Sequence, residues 1–394
     1  MNYLFYDDSP VFGGHEVMTL LGVEALLARP GARVQFMASA DNATLLEKLR
    51  SMATRHPELE IHVMQRTSTK LEALRNRLAP SRVAGLAAEL AAHHPDLVVA
   101  VQGNIEHSSL SLLAARRAGL RSASYIPVPH SNAEMGAKLG WLRDRFTSGL
   151  FQAADHFVTI TDEMGAKLRA RGATCPITVV YNGVDTTRFI SRPAAECRGK
   201  LGLPGDRVLI GMVGRIEFRQ KQQHLLLDAI ASEPALRNAC HLVFAGGGPD
   251  QEELATRAGN HGMADTVTIL PWCDPADLYP ALHALVIPSR YEGLPLVMLE
   301  ALCCGTTVLG SDRDGMKDVL PASRRFPPGG PRPLATALRR FLDDGAPAAE
   351  PALTARVRDT MNLPAFSHAF RRAMEKAAAQ PRSDLATPET ESYL

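Results

Sequence analysis

The chain has 394 residues, of which 45% are hydrophobic and 22% charged, and its net charge is +1. The length is about twice that of one ordinary domain, and the composition is typical of a globular protein. A net charge this close to zero argues against a general nucleic-acid binder, and no apolar run approaches the roughly 20 residues that span a bilayer. The six cysteines form no C-x-x-C pair, which argues against a zinc site and a disulfide framework.

Short β-rich runs alternate with helical stretches through the first half of the chain. The stretch Glu16–Arg29 has helical spacing of its apolar residues and ends at Pro30-Gly31. This alternation predicts a parallel sheet with helices on both faces. The predicted strands are Tyr3–Tyr6, Arg33–Ala38, Ile61–Gln65, Asp96–Gln102, Ser122–Pro127, His156–Thr161 and Ile177–Tyr181.

A second series of the same kind follows a linker that we place between Asn182 and Asp206. Two doubly wound α/β units in tandem predict a ligand site in the cleft between the carboxyl ends of their strands. The predicted strands are Arg207–Val213, His241–Ala245, Thr266–Leu270, Ala284–Pro288 and Thr306–Gly310.

The chain therefore divides into a first domain at 1–185 and a second domain at 186–360. The strand pattern stops near Arg332, and two helical stretches are predicted, Pro333–Asp343 and Pro351–Ala379. The end of the second stretch, 361–379, forms a C-terminal helix, and the polar tail 380–394 is predicted to be disordered.

The segment Ser289–Gly305 joins a strand to a helix whose first position suits Pro295. Glu292 then lies in the loop before the helix, and Glu300 lies in the second turn. A helix N-terminus attracts an anion such as a diphosphate, and the two carboxylates accept hydrogen bonds from hydroxyls on either side of it. A nucleoside diphosphate sugar has this layout. Two glutamates eight residues apart also occur on ordinary surface helices.

Two cations lie in an equivalent setting in the segment Gly211–Ile230. Arg215 falls at the carboxyl end of a strand and Lys221 opens the next helix, so both point toward the cleft that contains Glu292. They are suited to neutralise a diphosphate leaving group. Each of them taken singly also fits a solvated loop charge, which is our interpretation of Arg219.

Glycines between the first strand and the first helix, Gly13 and Gly14, allow the backbone to come close to a ligand. The pattern is not G-x-G-x-x-G, so the dinucleotide fingerprint is absent. His130 lies at the carboxyl end of a first-domain strand and fits either a site residue or a turn histidine. His107 and Asn104 are candidates for contact with an acceptor.

Taken together, these residues resemble family 4 glycosyltransferases, which are retaining enzymes with the GT-B fold of two Rossmann-like domains that face a central cleft. The most specific element is the E-x7-E pair, Glu292 and Glu300, and Arg215 with Lys221 matches the phosphate-binding pair of the family. The matching elements occur in the family's order along nearly the whole chain. They include Gly13-Gly14, the strand-to-linker motif Tyr181–Asp185, the Gly-rich loop Ala245–Pro249 and the C-terminal helices.

The resemblance implies a role for each matching residue. Glu292 would hold hydroxyls of the donor sugar and Glu300 those of the ribose, while Arg215 and Lys221 would bind the diphosphate. The backbone of Gly14 would approach the phosphates from the first domain. The final helix, Phe366–Ala379, would cross back onto the first domain.

Other matches border the same donor. His130 is placed where the family often has a histidine or aspartate facing the anomeric centre, and it joins Glu292, Arg215 and Lys221 as a catalytic candidate. The family's E-G-F-G loop is here Glu292-Gly293-Leu294-Pro295, and Pro295 lacks an N–H that the family often supplies. The remaining expected substrate contacts are Gly293, Leu294, Leu296, Trp272 and Cys273, the last two beside the nucleobase.

The resemblance also implies retention of the anomeric configuration by a front-face transfer of a hexose-type sugar. We expect no metal and no cofactor, with Arg215 and Lys221 replacing a divalent ion. The one D-x-D triplet, Asp312-Arg313-Asp314, fits a polar turn better than a metal site because Arg313 and Lys317 would oppose a cation. The expected partners are a UDP- or GDP-sugar donor and a glycan, glycolipid or small-molecule acceptor, with no nucleic acid.

The basic segment Arg66–Arg82 has leucines at helical spacing, and many relatives dock on anionic membranes by such a helix. A solvated helix face explains the pattern as well. The N-terminus lacks the pattern of a signal peptide, so a cytoplasmic protein, peripheral at most on the inner face of the membrane, is expected. The alternative functions are another GT-B enzyme, namely a sugar epimerase or a phosphorylase, and a catalytically silent sugar-nucleotide-binding protein.

Overall fold

A computed structural model describes residues 1–380 of the chain. Its first sheet is parallel, with seven strands in the order β3-β2-β1-β4-β5-β6-β7. The observed strands differ from the predicted ones only at their ends. They are β1 Asn2–Asp7, β2 Arg33–Ser39, β3 Leu59–Met64, β4 Leu97–Val101, β5 Ser122–Tyr125, β6 His156–Thr159 and β7 Ile177–Val179.

The second sheet is also parallel and has six strands in the order β10-β9-β8-β11-β12-β13. Its last strand has only two residues and was not predicted, because so short a run carries no apolar pattern. The strands are β8 Val208–Val213, β9 Cys240–Ala245, β10 Val267–Leu270, β11 Ala284–Ile287, β12 Thr307–Ser311 and β13 Arg325–Phe326.

Helices cover the faces of both sheets, as the strand–helix alternation predicts. Those of the first half are α1 Gly14–Leu27, α2 Ala43–Ala53, α3 Glu72–Leu78, α4 Pro80–Ala92, α5 Ser109–Ala118, α6 Gly140–Thr147 and α7 Asp162–Ala170. Those of the second half are α8 Ala194–Leu201, α9 Gln223–Ala231, α10 Pro234–Ala239, α11 Gln251–Asn260, α12 Pro275–Ala281, α13 Leu296–Cys303, α14 Gly315–Val319, α15 Pro331–Asp343, α16 Pro351–Thr360 and α17 Leu363–Ala379. The two sheets define the GT-B architecture that the sequence predicts.

The central strands are apolar throughout, which is typical of parallel strands buried on both faces. Every side chain of β4, Leu97–Val101, is fully buried. In each sheet the strand order reverses beside one central strand, β1 in the first and β8 in the second. Ligands of such sheets bind beyond the carboxyl ends of the strands at this switch point.

The predicted helical stretch Pro351–Ala379 is wrong as a single helix, because the structure divides it into α16 and α17. The break has a local cause. The side chain of Asn362 accepts a hydrogen bond from the N–H of Ala365 at 2.8 Å and so begins a new helix, whose second residue is Pro364. The last helix packs against α1 and β5 of the first sheet, where Phe370 lies edge-on to Tyr125 at 5.6 Å between ring centroids.

The basic segment Arg66–Arg82 is likewise not one helix. Leu71 has φ +65°, which ends α3 on its N-terminal side, and α3 stops at Leu78 because Pro80 disfavours a helical conformation at Ala79. The predicted tail, 380–394, lies outside the described residues except for Gln380.

Candidate active site

The carboxyl ends of the two sheets border one cleft of about 1020 Å³. First-domain loops after β1, β4 and β5 form one wall, and second-domain loops after β8 and β11 form the other. Among the predicted site residues, the cleft is lined by Gly14, Arg215, Lys221, Trp272, Glu292, Gly293, Leu294, Leu296 and Glu300. The structure therefore brings predicted site residues from separate segments of the chain to one cavity.

Glu292 lies in the loop between β11 and α13 and is buried, with 6% of its surface exposed. Glu300 lies in the second turn of α13, which is held in place by buried leucines on its inner face. Burial raises the pKa of Glu300, although the Tyr279 hydroxyl opposes the rise by donating a hydrogen bond to its Oε2 at 2.6 Å. Pro295 occupies the N-cap of α13 rather than its first position.

Lys221 and Glu292 form an ion pair within the cleft, with 2.6 Å between Nζ and Oε1. The prediction that Lys221 opens a helix is wrong by two residues, because α9 begins at Gln223. Lys221 instead lies in a turn, where its N–H bonds to the carbonyl of Glu217 at 2.8 Å. Arg215 follows β8 by two residues, and about half of its side chain, 53%, is exposed.

Two glycines permit close backbone approaches that shape the donor side. A Cβ at Gly248 would lie 2.2 Å from the carbonyl oxygen of Ile216, so the Gly-rich loop supports the loop that carries Arg215. A Cβ at Gly293 would lie 2.8 Å from the carbonyl oxygen of Pro127, across the domain boundary. The loop of Glu292 can therefore touch the first domain only because residue 293 is glycine.

Asp314 connects two of the predicted site residues. Its Oδ1 lies 2.8 Å from Nε2 of His130, and its Oδ2 accepts a hydrogen bond from the N–H of Glu292 at 2.9 Å. Burial raises the pKa of the Asp314 carboxyl, but the hydrogen bond and charge of His130 outweigh this effect and hold it below its usual range. Asp314 has φ +52° and ψ −147°, which is unfavourable for any residue except glycine.

His130 does not line the main cleft. It borders a second cavity of about 690 Å³ between the domains, together with Lys167 and Asp314. Lys167 Nζ lies 3.4 Å from Oδ1 of Asp314. His130 is connected to the main cleft through Asp314, which also binds the backbone N–H of Glu292. The other carboxylate of the D-x-D triplet, Asp312, pairs with Arg325.

The nucleobase candidates differ in position. Trp272 lines the cleft and is 74% exposed, whereas Cys273 is half-buried and packs against the core. The structure thus places Trp272, but not Cys273, in the wall of the cleft.

A buried acidic cluster lies behind the first-domain wall. Asp7, His15 and Glu16 each offer an atom within 4.8 Å of the others, a spacing that could hold a metal ion. Some of these possible ligand atoms already have partners within the protein. Glu16 Oε2 accepts a hydrogen bond from the N–H of Gly13 at 2.7 Å and lies 3.0 Å from Nδ1 of His15. Burial raises the pKa of Asp7 to about 8. The expected absence of a metal stays a prediction.

Sequence reasoning missed several cleft residues. Arg188 and Asp274 line the cleft and pair with each other at 2.9 Å, and Tyr279 and Glu217 also line it. The signal for Arg188 was available, because it follows the strand-to-linker motif by three residues. Tyr279 carried no signal, since it lies inside a helix whose position opposite Glu300 is a matter of tertiary packing.

Two family models match the chain. One, described as Glycosyltransferase Family 4, matches residues 12–188, and the other, described as Glycosyl transferases group 1, matches residues 194–358. Together they cover every strand of the two sheets except β1. The chain belongs to the family 4 glycosyltransferases.

Curated relatives carry several names. The chain is 34% identical over 200 residues to a D-inositol 3-phosphate glycosyltransferase of Thermobifida fusca, a match that covers 45% of this chain and 46% of that protein. It is 30% identical over 287 residues to a glycogen synthase of Mycobacterium tuberculosis, covering 68% of this chain and 65% of that protein. The matched region thus spans about half to two thirds of these relatives.

Solved structures agree in fold. HepE of Anabaena, solved in complex with UDP, has a TM-score of 0.75 at 20% identity over 95% of this chain and 100% of that one. A sucrose-phosphate synthase from Thermosynechococcus elongatus has a TM-score of 0.73 at 21% identity over 95% of this chain and 98% of that one. At this level of identity the likeness establishes the fold.

Proposed function

We propose that this protein is a retaining glycosyltransferase that moves a hexose-type sugar from a UDP- or GDP-sugar to a hydroxyl of a glycan, glycolipid or small-molecule acceptor. The observation that carries the proposal is the pairing of Lys221 with Glu292 at 2.6 Å in a cleft that also contains Arg215 and Glu300. A cation beside a carboxylate suits the junction between a diphosphate and a sugar, because phosphate oxygens accept hydrogen bonds and sugar hydroxyls donate them.

The donor would lie along this wall of the cleft. Arg215 and Lys221 would bind the diphosphate, Glu292 the sugar hydroxyls and Glu300 the ribose hydroxyls. Tyr279 already holds one oxygen of Glu300 at 2.6 Å, which orients the carboxylate for ribose. HepE has been solved in complex with UDP and with UDP-glucose, which supports a uridine donor here.

The chemistry we propose needs no metal. As the bond between the anomeric carbon and the diphosphate oxygen breaks, Arg215 and Lys221 would stabilise the charge that develops on the leaving group. The acceptor hydroxyl would attack the same face, and its proton would pass to the leaving diphosphate. Configuration is then retained without a protein nucleophile.

A donor panel tests the proposal. Purified protein is incubated with UDP-, GDP- and ADP-sugars, with and without glycan acceptors, and release of the nucleoside diphosphate is measured. We expect turnover with at least one donor, undiminished by EDTA, and an unchanged anomeric configuration of the product by ¹H NMR. An inverted product would contradict retention, and an epimerised sugar or a sugar 1-phosphate would favour the other GT-B enzymes. Binding without turnover in every combination would favour a silent protein.

We also propose peripheral contact with anionic membranes through an apolar-basic face of the first domain. No helix among residues 1–380 has the length and apolarity to cross a bilayer. Helices α3 and α6, more than 60 residues apart in the chain, pack against each other, and both expose apolar and basic side chains. The face comprises Lys70, Leu71, Arg75, Arg77, Leu78, Lys138, Leu139, Trp141, Arg145 and Phe146.

This face differs from the basic helix expected from the sequence. Arg66 is paired with Glu89 at 2.6 Å, and Glu72 pairs with Arg82 at 2.7 Å and with the more exposed Arg75 at 3.5 Å, so part of the basic charge of this segment is already neutralised. The aromatic contribution comes from α6, where Trp141 is 70% exposed. Exposed aromatic and basic side chains together are typical of interfacial membrane binding.

Liposome flotation tests the contact. We expect the protein to float with vesicles that contain anionic phosphatidylglycerol and to stay at the bottom with neutral phosphatidylcholine. The variant Trp141→Ser/Arg77→Glu should lose flotation, whereas the control Arg116→Glu/Arg117→Glu, which changes the end of α5, should keep it. Equal flotation of both variants, or none of the wild type, would contradict this part of the proposal. A cytoplasmic location stays a prediction.

A further inference from the structure

Two imidazole nitrogens of the first-domain wall are buried and have no hydrogen-bond partner within residues 1–380. They are Nε2 of His15, at the start of α1, and Nδ1 of His107, in the loop after β4. Both rings line the main cleft and flank Gly103. A Cβ at Gly103 would lie 3.2 Å from Nε2 of His15 and 3.1 Å from Nδ1 of His107, so the two nitrogens face the same small space.

The hydrogen bonds of Asn104 fix the tautomer of His107. Oδ1 of Asn104 accepts from the N–H of Glu106 at 2.9 Å, so its Nδ2 is the atom that faces Nε2 of His107 at 3.1 Å. An amide nitrogen donates, and Nε2 must therefore accept. Burial and the nearby His15 lower the pKa of His107 to about 4, so the ring is neutral near pH 7 and carries its proton on the unpartnered Nδ1.

His15 is oriented by the residue that follows it. Its Nδ1 donates to the Glu16 carboxylate at 3.0 Å, which leaves Nε2 to face Gly103. Burial opposes protonation of the ring, but Glu16 and Asp7 outweigh burial and raise the pKa of His15. Nε2 therefore donates when the ring is charged and accepts when it is neutral. A hydroxyl can pair with either form, because it both donates and accepts hydrogen bonds.

The charge of the cleft walls is one-sided. The Lys, Arg, Asp and Glu side chains that line the cleft all come from positions after 185, on the donor side: Arg188, Arg215, Glu217, Lys221, Asp274, Glu292 and Glu300. The first-domain wall offers Phe12, Met18 and Met135 beside the two histidines. A charged His15 is balanced by Glu16 behind it, so this wall carries no excess of positive charge to bind an anion.

From this geometry we propose that His15 and His107 form an acceptor subsite that binds a hydroxyl of an uncharged sugar or polyol in the space beside Gly103. This inference rests on the proposed function, since it assigns the acceptor class of the same cleft. The sugar or polyol that enters the cleft is neutral rather than phosphorylated. Phe12, Met18 and Met135 pack against the apolar face of its ring.

Histidine NMR tests the subsite directly, without turnover. Protein labelled with ¹³C and ¹⁵N at histidine is saturated with UDP, and the His15 and His107 signals are assigned by the variants His15→Gln and His107→Asn. Titration with methyl α-D-glucopyranoside and with myo-inositol should shift both imidazoles, and inorganic phosphate at equal ionic strength should shift neither. Shifts with phosphate alone would overturn the neutral assignment. No shift with either polyol would overturn the subsite.

A distorted subsite provides the kinetic test. In Gly103→Ala the new Cβ would lie 2.9 Å from Cε1 of His15, which is closer than a Cβ packs against another atom, so the His15 ring must shift away from the space beside residue 103. The acceptor KM should rise about tenfold or more, the effect of losing at least one good hydrogen bond, with donor KM unchanged. Gly85→Ala on α4, where a Cβ meets nothing within 4 Å, is the matched control and should behave as wild type. An unchanged acceptor KM in Gly103→Ala would overturn the proposal.

The two proposals fail in different ways. If no nucleotide sugar is turned over by the wild type, the proposed function fails, while the NMR titration still reports on the subsite. If turnover is normal but neutral polyols leave both imidazoles unshifted, only the subsite fails.

Discussion

Nε2 of His130 and Oδ1 of Asp314 lie 2.8 Å apart across the domain boundary, and both side chains are buried. The other oxygen of Asp314 holds the backbone N–H of Glu292. One carboxylate therefore ties a first-domain histidine to the loop that carries the proposed sugar-binding glutamate. Glycine would relieve the strain of the +52° φ at Asp314, but it lacks the carboxylate that makes both of these contacts.

Replacement of Asp314 by glycine separates strain from function. Relief of about 1–3 kcal/mol of backbone strain should offset the lost hydrogen bonds, so the free energy of unfolding changes little. Transfer should still fall about tenfold or more, because the loop of Glu292 is no longer held. Urea unfolding and steady-state rates measure the two effects. Asp314→Asn keeps the bridging shape and should retain more activity than Asp314→Gly, and full activity of Asp314→Gly would refute the bridging role.

Lys221→Ala should lower kcat by about 10²–10³, the usual effect of removing one charge-stabilising donor at a leaving group. The control is Arg219→Ala, two residues away, because Arg219 is exposed and donates a hydrogen bond to the carbonyl of Met135 at 3.2 Å rather than pairing with Glu292. Nucleotide release assays on both variants make the comparison. Equal losses would point to disruption of the loop rather than to loss of a specific charge.

Tyr279→Phe removes the hydroxyl that donates to Glu300. We expect the donor KM to rise about tenfold with kcat little changed, because ribose binding loses an oriented carboxylate. The lost hydrogen bond also lets the pKa of Glu300 rise further, so the acidic limb of donor kcat/KM should move to higher pH. A fall in kcat at unchanged KM would place Tyr279 in a different role.

Asp7→Asn should stabilise the protein increasingly as the pH rises from about 5 to 8. Burial, with Glu16 nearby, raises the folded pKa of Asp7 to about 8, above its unfolded value of about 4. A carboxyl with a raised folded pKa costs stability once the pH exceeds the unfolded pKa, by up to about 1.4 kcal/mol per pH unit, until the folded pKa is reached. Unfolding of both proteins across this range tests the sign, and parallel pH curves would contradict it.

The parts that the sequence could predict are those set by local order. Glu292, Arg215 and Lys221 each lie between a strand and the helix that follows it, and Glu300 lies in the second turn of such a helix. Parallel strands bring these positions to one edge of the sheet. The cleft was predictable for that reason. The start of α9 at Gln223 was missed because the turn before it leaves no trace in the spacing of apolar residues.

Features that depend on distant contacts were not predictable. His130 and Asp314 are 184 residues apart, and nothing in either segment indicates that they meet. The D-x-D triplet that contains Asp314 was interpreted from the sequence as a polar turn rather than a metal site, and it did not indicate the contact with His130. The paired imidazoles of His15 and His107 were equally hidden, since their common feature is Gly103, which brings the two rings together.

The final helix has a consequence for building hybrid enzymes. The chain enters the second domain at Val184 and leaves it at Asn362, and these two residues form a β-bridge side by side. A graft that exchanges only the intervening stretch, 185–361, would replace the second domain through two adjacent junctions. The helix Leu363–Ala379 would stay on the first domain, where Phe370 packs against Gly22.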